Sequence, residues 1–196
     1  MRTDLNMSKK DFILASASPH RLALLEQIGY TPKKVAPADI DESVKKGENP
    51  TAYVKRMALE KAIKSASLNP NENILAGDTV VCVGSRILHK SKTDEEQTAV
   101  MKLVSGRSSR VISAICLISR DGKISQRCVE SRVITKRLSD AEIKEYVDGH
   151  EWVGCCGYKI DGCFAGYVQK IIGSYTGIVG LPLFETQNLL RGIGVK

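Results

Sequence analysis

Short apolar runs alternate with amphipathic segments along the first part of the chain, and each change of pattern predicts an element boundary. Residues 12–15 form a compact apolar run typical of a buried strand. The dipeptide Ser-Pro at 18–19 follows as a helix cap and first helical residue. The same signal, Asn-Pro at 49–50, predicts a second helix that reaches about Leu68.

The middle of the chain carries the most continuous apolar pattern. Residues 74–83 predict a second buried strand, which a Gly-Ser turn joins to a short partner strand. Residues 110–118 and 124–135 alternate between apolar and polar positions on either side of Asp-Gly at 121–122. This pattern predicts an antiparallel hairpin of two long strands.

Two more helices and a glycine-rich segment complete the pattern. Capping-box residues at 93–96 and 139–142 each open a helix, one on either side of the hairpin. Residues 154–180 are rich in glycine, and a last helix follows them. Some strands alternate with helices and others pair directly, and no repeat or low-complexity linker divides the chain. The sequence therefore predicts a mixed α/β fold, with a flexible leader over residues 1–10 and a single domain over residues 11–196.

Charge is unevenly distributed in this chain of 196 residues, whose formal net charge is +7. Residues 107–137 contain eight basic and two acidic residues. Such a segment could bind nucleic acid, bind a phosphorylated small molecule, or form the solvated face of paired strands. No basic stretch is interleaved with aromatic residues, so we do not expect a base-stacking platform.

Cysteine usage and hydropathy argue against several classes of protein. The six cysteines include no Cys-x-x-Cys pair and the three histidines have no ligand spacing, so a structural zinc site is not expected. No apolar run approaches the ~20 residues of a membrane-spanning helix. The apolar run at 12–15 is too short for a signal-peptide core. We therefore expect reduced, mostly buried thiols in a cytoplasmic protein that does not enter a membrane.

Two charged residues interrupt otherwise apolar patterns. Asp78 lies within the strand predicted over 74–83, where an ionised carboxylate needs a cation, a hydrogen-bond donor or a metal. A turn aspartate bonded to backbone amides is the alternative. Lys61 lies within the apolar stripe of the helix predicted from Pro50, so it either points into an anionic cleft or extends outward to solvent.

Polar residues also gather in three loops. Ser16 precedes the free amides of the first predicted helix and Arg21 lies in its first turn, a composition that suits phosphate, although it also suits an ordinary capped helix. No Walker A run is present. Glu42 and Asp161 lie in an acidic loop and a glycine-bearing segment. Either could hold a divalent cation beside substrate phosphates, or be a solvated loop acid.

Six short motifs follow one another along nearly the whole chain. They are Leu14–Pro19, Ala38–Glu42, Ala58–Ala62, Ala76–Val80, Ser105–Arg107 and Gly173–Leu183. Together they resemble the Maf family of nucleotide pyrophosphatases. The resemblance implies a two-lobed α/β fold similar to the inosine-triphosphate pyrophosphatases, with a cleft between the lobes. It also implies hydrolysis of a nucleoside triphosphate to the monophosphate and pyrophosphate by a homodimer, with Mg²⁺, Mn²⁺ or Co²⁺ as cofactor.

The resemblance assigns roles to individual residues. Asp78 is the expected proton acceptor that activates the attacking water, and Glu42 is the expected ligand of the metal or the water. The phosphate-binding residues implied by the resemblance are Ser16, Arg21, Lys61 and Lys90.

Three further positions are those expected to recognise the base: His20, Thr79 and Asp161. Thr79 matches the pyrimidine-preferring branch of the family, whereas a 7-methyl-GTP-preferring branch has glutamine there. His20 replaces an arginine of the pyrimidine branch, and Asp161 stands where the two branches have glutamine or glutamate. From Thr79 we expect dTTP or UTP as substrate, in a house-cleaning role against non-standard nucleotides.

Two other functions remain open on the sequence alone. A nucleic-acid-binding or protein-binding regulator of cell division would use the basic segment 107–137, and its binding to nucleic acid would depend steeply on salt. A pyrophosphatase directed at deaminated or oxidised purine nucleotides would keep the same catalytic residues and differ only in the base it accepts.

Overall fold

The computed structural model describes residues 10–196, and seven strands in this range form one mixed sheet. The strands are β1 (Lys10–Leu14), β2 (Pro32–Val35), β3 (Ile74–Val83), β4 (Arg86–Leu88), β5 (Ser108–Ile118), β6 (Ile124–Thr135) and β7 (Val168–Ile172). Their order is β2-β1-β3-β5-β6-β7, and β4 pairs with the last residues of β3. β1 is parallel to β2 and β3, and the other pairs are antiparallel. The predicted mixed α/β class is confirmed.

Helices cover both faces of the sheet. They are α1 (Pro19–Gln27), α2 (Pro50–Leu68), α3 (Asp94–Val104), α4 (Asp140–Asp148), α5 (Tyr175–Val179) and α6 (Leu183–Gly192), with a 3-10 helix at Cys163–Tyr167. The predicted caps of α1 and α2 are confirmed, since the side chains of Ser18 and Asn49 accept hydrogen bonds from backbone amides of the first turn. Of the two predicted capping boxes, only the one that opens α4 is reciprocal. At α3 the Glu96 carboxylate accepts from the Lys92 amide instead.

The strand pleat divides the core into three clusters. On one face of β3 and β5, alternate residues such as Ile74, Ala76 and Ile112 pack against α2. On the opposite face, one end of the sheet is covered by α1 and α6. The other end is covered by α3, α4 and the 3-10 helix around Phe164. These two end clusters form the bodies of two lobes, which the long strands β3 and β5 connect.

The predicted leader over residues 1–10 falls almost entirely outside the described residues, and Lys10 is the first residue of β1. The expectation of mostly buried thiols is wrong. All six cysteines are free, but only Cys82 and Cys116 are buried, while Cys163 is exposed. The other three lie at a partly covered strand or at the wall of a cleft. No helix within residues 10–196 is long and apolar enough to cross a membrane.

Candidate active site

A cleft of about 750 Å³ opens where the two lobes meet, within the size range of small-molecule sites. Its walls come from the segments after β1 and β2, from α2, β3 and β4, and from residues 153–161 and 178–180. All nine residues that the sequence singled out line this cleft: Ser16, His20, Arg21, Glu42, Lys61, Asp78, Thr79, Lys90 and Asp161. Residues that are far apart in the chain therefore converge on one space.

Asp78 lies at the centre of β3, on the face that packs against α2. The strand alternation that buries Ile74 and Ala76 on this face also turns the Asp78 carboxylate inward, where the residue is only 9% exposed. Its position within a regular strand excludes the turn interpretation. Asp78 Oδ1 accepts a hydrogen bond of 2.7 Å from Lys61 Nζ. Lys61 therefore points into the cleft and does not extend to solvent.

Lys61 also binds the acidic loop. Its Nζ lies 2.8 Å from Glu42 Oε1, so one ammonium contacts two carboxylates that come from different parts of the chain. The loop is held in place by Tyr53, whose hydroxyl donates to the Glu42 carbonyl oxygen at 2.9 Å. Burial, together with the negative charges of Asp78 and Glu42, raises the pKa of Tyr53 to about 12. The Tyr53 hydroxyl therefore keeps its proton at neutral pH and remains a donor.

The start of α1 forms a second polar wall. Ser16 Oγ accepts from the Ser18 amide and, at 2.9 Å, from Arg21 Nη1. Arg21 Nε donates to the carbonyl oxygen of Gly180 at 2.9 Å, which ties α1 to the segment after α5. Burial lowers the pKa of Arg21, and the nearby Asp78 carboxylate opposes this shift. Because protein acceptors engage only part of the guanidinium, N–H donors remain for an anionic ligand.

Thr79 and Lys90 occupy the wall and the rim of the cleft. Thr79 points to the opposite face of β3 from Asp78, and its Oγ1 lies 3.5 Å from Arg21 Nη2. Lys90 is exposed and forms an isolated antiparallel bridge with Cys156. Within residues 10–196 its ammonium has no ion-pair partner. An anionic ligand in the cleft can therefore reach it without breaking a contact.

His20 and Asp161 face each other across the cleft. His20 Nδ1 lies 3.3 Å from Asp161 Oδ2, and each side chain is about one-third exposed. These are the two positions at which the sequence departs from the family branches. In this chain the two departures form a contact with each other. The pair joins the N-terminus of α1 to the glycine-rich segment and narrows the cleft between them.

The carboxylates of the cleft have the donor type that hard divalent cations prefer. Asp78 and Glu42 each contact Lys61 through one carboxylate oxygen, so the second oxygen of each carboxylate is not used in this contact. Magnesium is commonly bound by one or two carboxylates together with substrate phosphates. Within residues 10–196 no cluster of three or more His, Cys, Asp or Glu residues suited to a metal is present. The donor set of Asp78 and Glu42 therefore fits a divalent cation that arrives with a phosphorylated ligand.

Several cleft residues were missed by sequence reasoning. Tyr53 belongs to the apolar stripe of α2, and the spacing of Cys155 and Cys156 does not indicate a metal-binding site. Cys156 is half-buried in the cleft wall, and burial raises the pKa of its thiol. The carbonyl oxygen of Gly180, which orients Arg21, carries no side-chain signal at all.

The basic segment 107–137 is not part of the cleft, since it supplies none of the lining residues. It forms β5, β6 and their flanking turns, and several of its charges are paired. Arg110 binds Glu130 across the two strands, Lys136 binds Glu142, and Arg120 binds Asp11. This pairing favours the interpretation of a charged face on paired strands over that of a nucleic-acid-binding surface.

Comparison with known proteins gives concordant matches. A family model described as "Maf-like protein" matches residues 11–193. A protein of Caulobacter vibrioides named dTTP/UTP pyrophosphatase is 48% identical over 94% of this chain and 96% of its own length. A protein of Mesorhizobium japonicum with the same name is 49% identical over 94% of this chain and 92% of its own length.

A more distant match comes from the solved structures. A nucleoside-triphosphatase / dITP/XTP pyrophosphatase from Mycobacterium abscessus covers 93% of both chains at 14% identity and a TM-score of 0.43. That likeness is too low for the fold or the activity of this chain to be inferred from it.

Proposed function

The chain belongs to the Maf-like protein family, and we propose that it is a pyrophosphatase that hydrolyses dTTP and UTP to the nucleoside monophosphate and pyrophosphate. One set of contacts carries this function best. Lys61 lies 2.7 Å from Asp78 and 2.8 Å from Glu42 on the inner wall of a cleft that also contains Arg21 and Lys90. A protein that only binds a partner has no need of a carboxylate buried opposite an inward lysine.

The chemistry follows from where these charges lie. Hydrolysis at phosphorus needs neutralisation of the triphosphate and an oriented water more than it needs a covalent intermediate. Arg21, Lys61 and Lys90 neutralise the phosphate oxygens. Asp78 accepts a proton from the water that attacks the α-phosphorus, and the bond from that phosphorus to the α,β-bridging oxygen breaks. Pyrophosphate leaves with that oxygen, and the attacking water oxygen remains on the nucleoside monophosphate.

A divalent cation, Mg²⁺, Mn²⁺ or Co²⁺, is part of this proposal. Glu42 and Asp78 are the residues that would hold it, because each carboxylate uses only one oxygen in its contact with Lys61. When bound, such a cation adds positive charge at the phosphate oxygens of the substrate. Lys61 keeps the two carboxylates converged before the substrate arrives.

The pyrimidine preference is supported by the names of the relatives and by Thr79. Both relatives described above are named for dTTP and UTP. The pair of His20 and Asp161 narrows the cleft and so favours a single-ring base. A role in removing non-standard nucleotides, a homodimeric state and a cytoplasmic location complete the proposal. The regulator of cell division is not favoured, because its basic segment is partly neutralised and lies outside the cleft.

The direct test is pyrophosphate release from UTP, dTTP, CTP, GTP, 7-methyl-GTP and ITP with Mg²⁺ or Mn²⁺. We expect UTP and dTTP to be hydrolysed fastest, whereas preference for ITP would indicate a purine house-cleaning enzyme. Asp78→Asn should lower kcat by at least about 100-fold, because a neutral amide cannot accept the proton of the water.

The matched control is Asp148→Asn. Asp148 also pairs with a lysine, Lys144, but lies on the exposed surface of α4. This variant should keep the parent rate. An Asp78→Asn variant that is folded and turns over as fast as the parent would show that Asp78 is not the base.

A further inference from the structure

A buried serine lies directly behind Thr79, one of the residues that line the cleft. Ser113 interrupts the apolar pattern of β5, and the residue is only 1% exposed. It is the register partner of Thr79 in β3, and the two hydroxyl oxygens are 2.7 Å apart. Ser113 Oγ also lies 2.6 Å from the carbonyl oxygen of Gly177 in α5. Ser113 therefore connects Thr79, at the wall of the cleft, to the backbone of α5.

These contacts fix the direction of the hydroxyl protons. A carbonyl oxygen can only accept, so the single proton of Ser113 is donated to Gly177. In the 2.7 Å contact the Thr79 hydroxyl must then be the donor. The other acceptor near Thr79 Oγ1 is the Gly180 carbonyl oxygen at 3.3 Å, which also belongs to the protein. Arg21 Nη2 lies 3.5 Å from the same oxygen and can only donate to it. Thr79 therefore turns its proton inward, and its lone pairs face Arg21 and the cleft.

An acceptor at this position selects its ligand by simple chemistry. The oxygens of an ionised triphosphate are themselves acceptors, so Thr79 cannot pair with them. The N3 atom of uracil and thymine carries a hydrogen and is a donor. The N3 atom of cytosine carries only a lone pair and would face the lone pair of Thr79.

We propose that Ser113 is a positioning residue that keeps the Thr79 hydroxyl a pure acceptor, so that the cleft selects pyrimidine bases with an N3–H donor over cytosine. This inference rests on the proposed function for its substrate, since it concerns how the same cleft distinguishes one pyrimidine triphosphate from another. Ser113 acts through Thr79 and does not itself touch the ligand.

The test compares binding of the α,β-methylene analogues of UTP and CTP by calorimetry, beside pyrophosphate release from UTP and CTP. The parent should prefer the uridine analogue. Ser113→Ala removes the nearer acceptor of the Thr79 proton and leaves only the Gly180 carbonyl oxygen at 3.3 Å, so the hydroxyl turns more readily and donates to cytosine N3. We expect the uridine-to-cytidine preference to fall about tenfold, mainly through tighter binding of the cytidine analogue.

The control is Ser131→Ala. Ser131 is a buried serine on the neighbouring strand β6 that accepts a 2.9 Å hydrogen bond from the Ser174 amide, so it also holds the start of α5. It does not contact Thr79, and its loss should leave the preference intact. A folded Ser113→Ala variant with the parent preference would overturn the proposal. So would an equal loss in Ser131→Ala, because the effect would then come from loosening α5.

Two substitutions of Thr79 keep the proposal testable if Ser113→Ala does not fold. Thr79→Ser retains the hydroxyl and should retain the preference, whereas Thr79→Val should lose it. Equal preference in both variants would overturn the proposal. If the parent released no pyrophosphate but its preference for the uridine analogue still depended on Ser113, the proposed function would fail and the inference would stand. If the parent releases pyrophosphate but its preference for UTP over CTP does not depend on Ser113, the inference fails and the proposed function stands.

Discussion

Lys61 is one cation between two carboxylates, and this arrangement has consequences for stability as well as for activity. Its side chain and that of Asp78 are each 12% exposed. Removing the ammonium leaves Asp78 covered by protein, with a second carboxylate nearby and without the cation to which it is hydrogen-bonded. We expect Lys61→Met to lower the free energy of unfolding by about 2–4 kcal/mol, because a covered charge without its partner is costly. Urea unfolding measures this loss.

Adding Asp78→Asn to Lys61→Met should recover part of that stability. The double variant removes the carboxylate that had lost its partner, so the two effects should be non-additive by about 1 kcal/mol or more. The exposed pair of Lys144 and Asp148 provides the matched double-mutant cycle, with a coupling below about 0.5 kcal/mol. Additive effects at the Lys61 pair would mean that the two groups do not depend on each other.

At the scale of single residues, Asp78 and Lys61 could be identified from the sequence because each of them breaks a local pattern, whereas Lys90 and Thr79 were named only through the resemblance to a known family. Asp78 interrupts an apolar strand and Lys61 an apolar helix face. Ser113 also interrupts an apolar run, but a serine in a strand has too many ordinary explanations to be identified without its register partner. The Gly177 and Gly180 carbonyl oxygens could not be predicted, since backbone groups leave no trace in residue type.

At the scale of elements, β3 has a strong local sequence pattern and was predicted correctly, whereas elements with a weak pattern were missed. The bounds of β3 were predicted as Ile74–Val83 and confirmed, because an apolar run buried on both faces has sharp ends. β2 and β7 were missed. Both are edge strands that contain lysine and leave several residues exposed, so their pairing depends on neighbours that are distant in sequence. α5 has only five residues and lies within the glycine-rich segment, too short for a helical period.

Gly173 joins β7 to α5, and its backbone lies close to the neighbouring strand β6. Its φ is +112°, and a Cβ atom there would lie 2.7 Å from Ser131 Oγ and 3.0 Å from Ser131 Cα. A side chain would therefore be strained by the backbone and would press on β6. We expect Gly173→Ala to reduce the free energy of unfolding by about 2–3 kcal/mol, measured by urea unfolding.

The control for Gly173 is Gly166→Ala. Gly166 lies in the 3-10 helix, and a Cβ atom there would meet nothing within 4 Å. Its substitution should change stability by no more than about 0.5 kcal/mol. Equal effects at the two glycines would show that the positive φ of Gly173 and its contact with Ser131 do not determine the result.

At the scale of the whole molecule, the site is assembled by contacts that span most of the chain. The hydrogen bond from Arg21 to Gly180 joins residues 159 positions apart, and that from Ser113 to Gly177 joins residues 64 positions apart. The two walls of the cleft are therefore held together only when the complete sheet has formed. Any condition that weakens the fold as a whole should also weaken the site.

Acid is such a condition, and the carboxylates of Glu48 and Glu142 set a pH range over which the fold loses stability. The hydrogen bonds from Arg56 lower the pKa of Glu48 to about 2. The hydrogen bonds from Lys136 and from the Ser139 amide lower the pKa of Glu142 to about 2. The ordinary pKa of a glutamate is 4.5. Between these values the unfolded chain binds more protons than the folded chain. The stabilisation from both groups is therefore complete above pH 4.5 and is lost as the pH falls towards 2.

The urea midpoint of the parent should accordingly be lower at about pH 3 than at about pH 6. Glu48→Gln with Glu142→Gln should lower the midpoint at the higher pH and flatten this dependence, because the amides do not titrate. Glu26→Gln, at a glutamate in α1 with no ion-pair partner within residues 10–196, should leave the dependence as it is in the parent. If the double variant kept the full pH dependence, the acid sensitivity would have to come from other carboxylates.

Arg56 also donates to the Ser43 carbonyl oxygen, so protonation of Glu48 loosens the loop that carries Glu42. We therefore expect acid to impair binding of α,β-methylene-UTP before the chain unfolds.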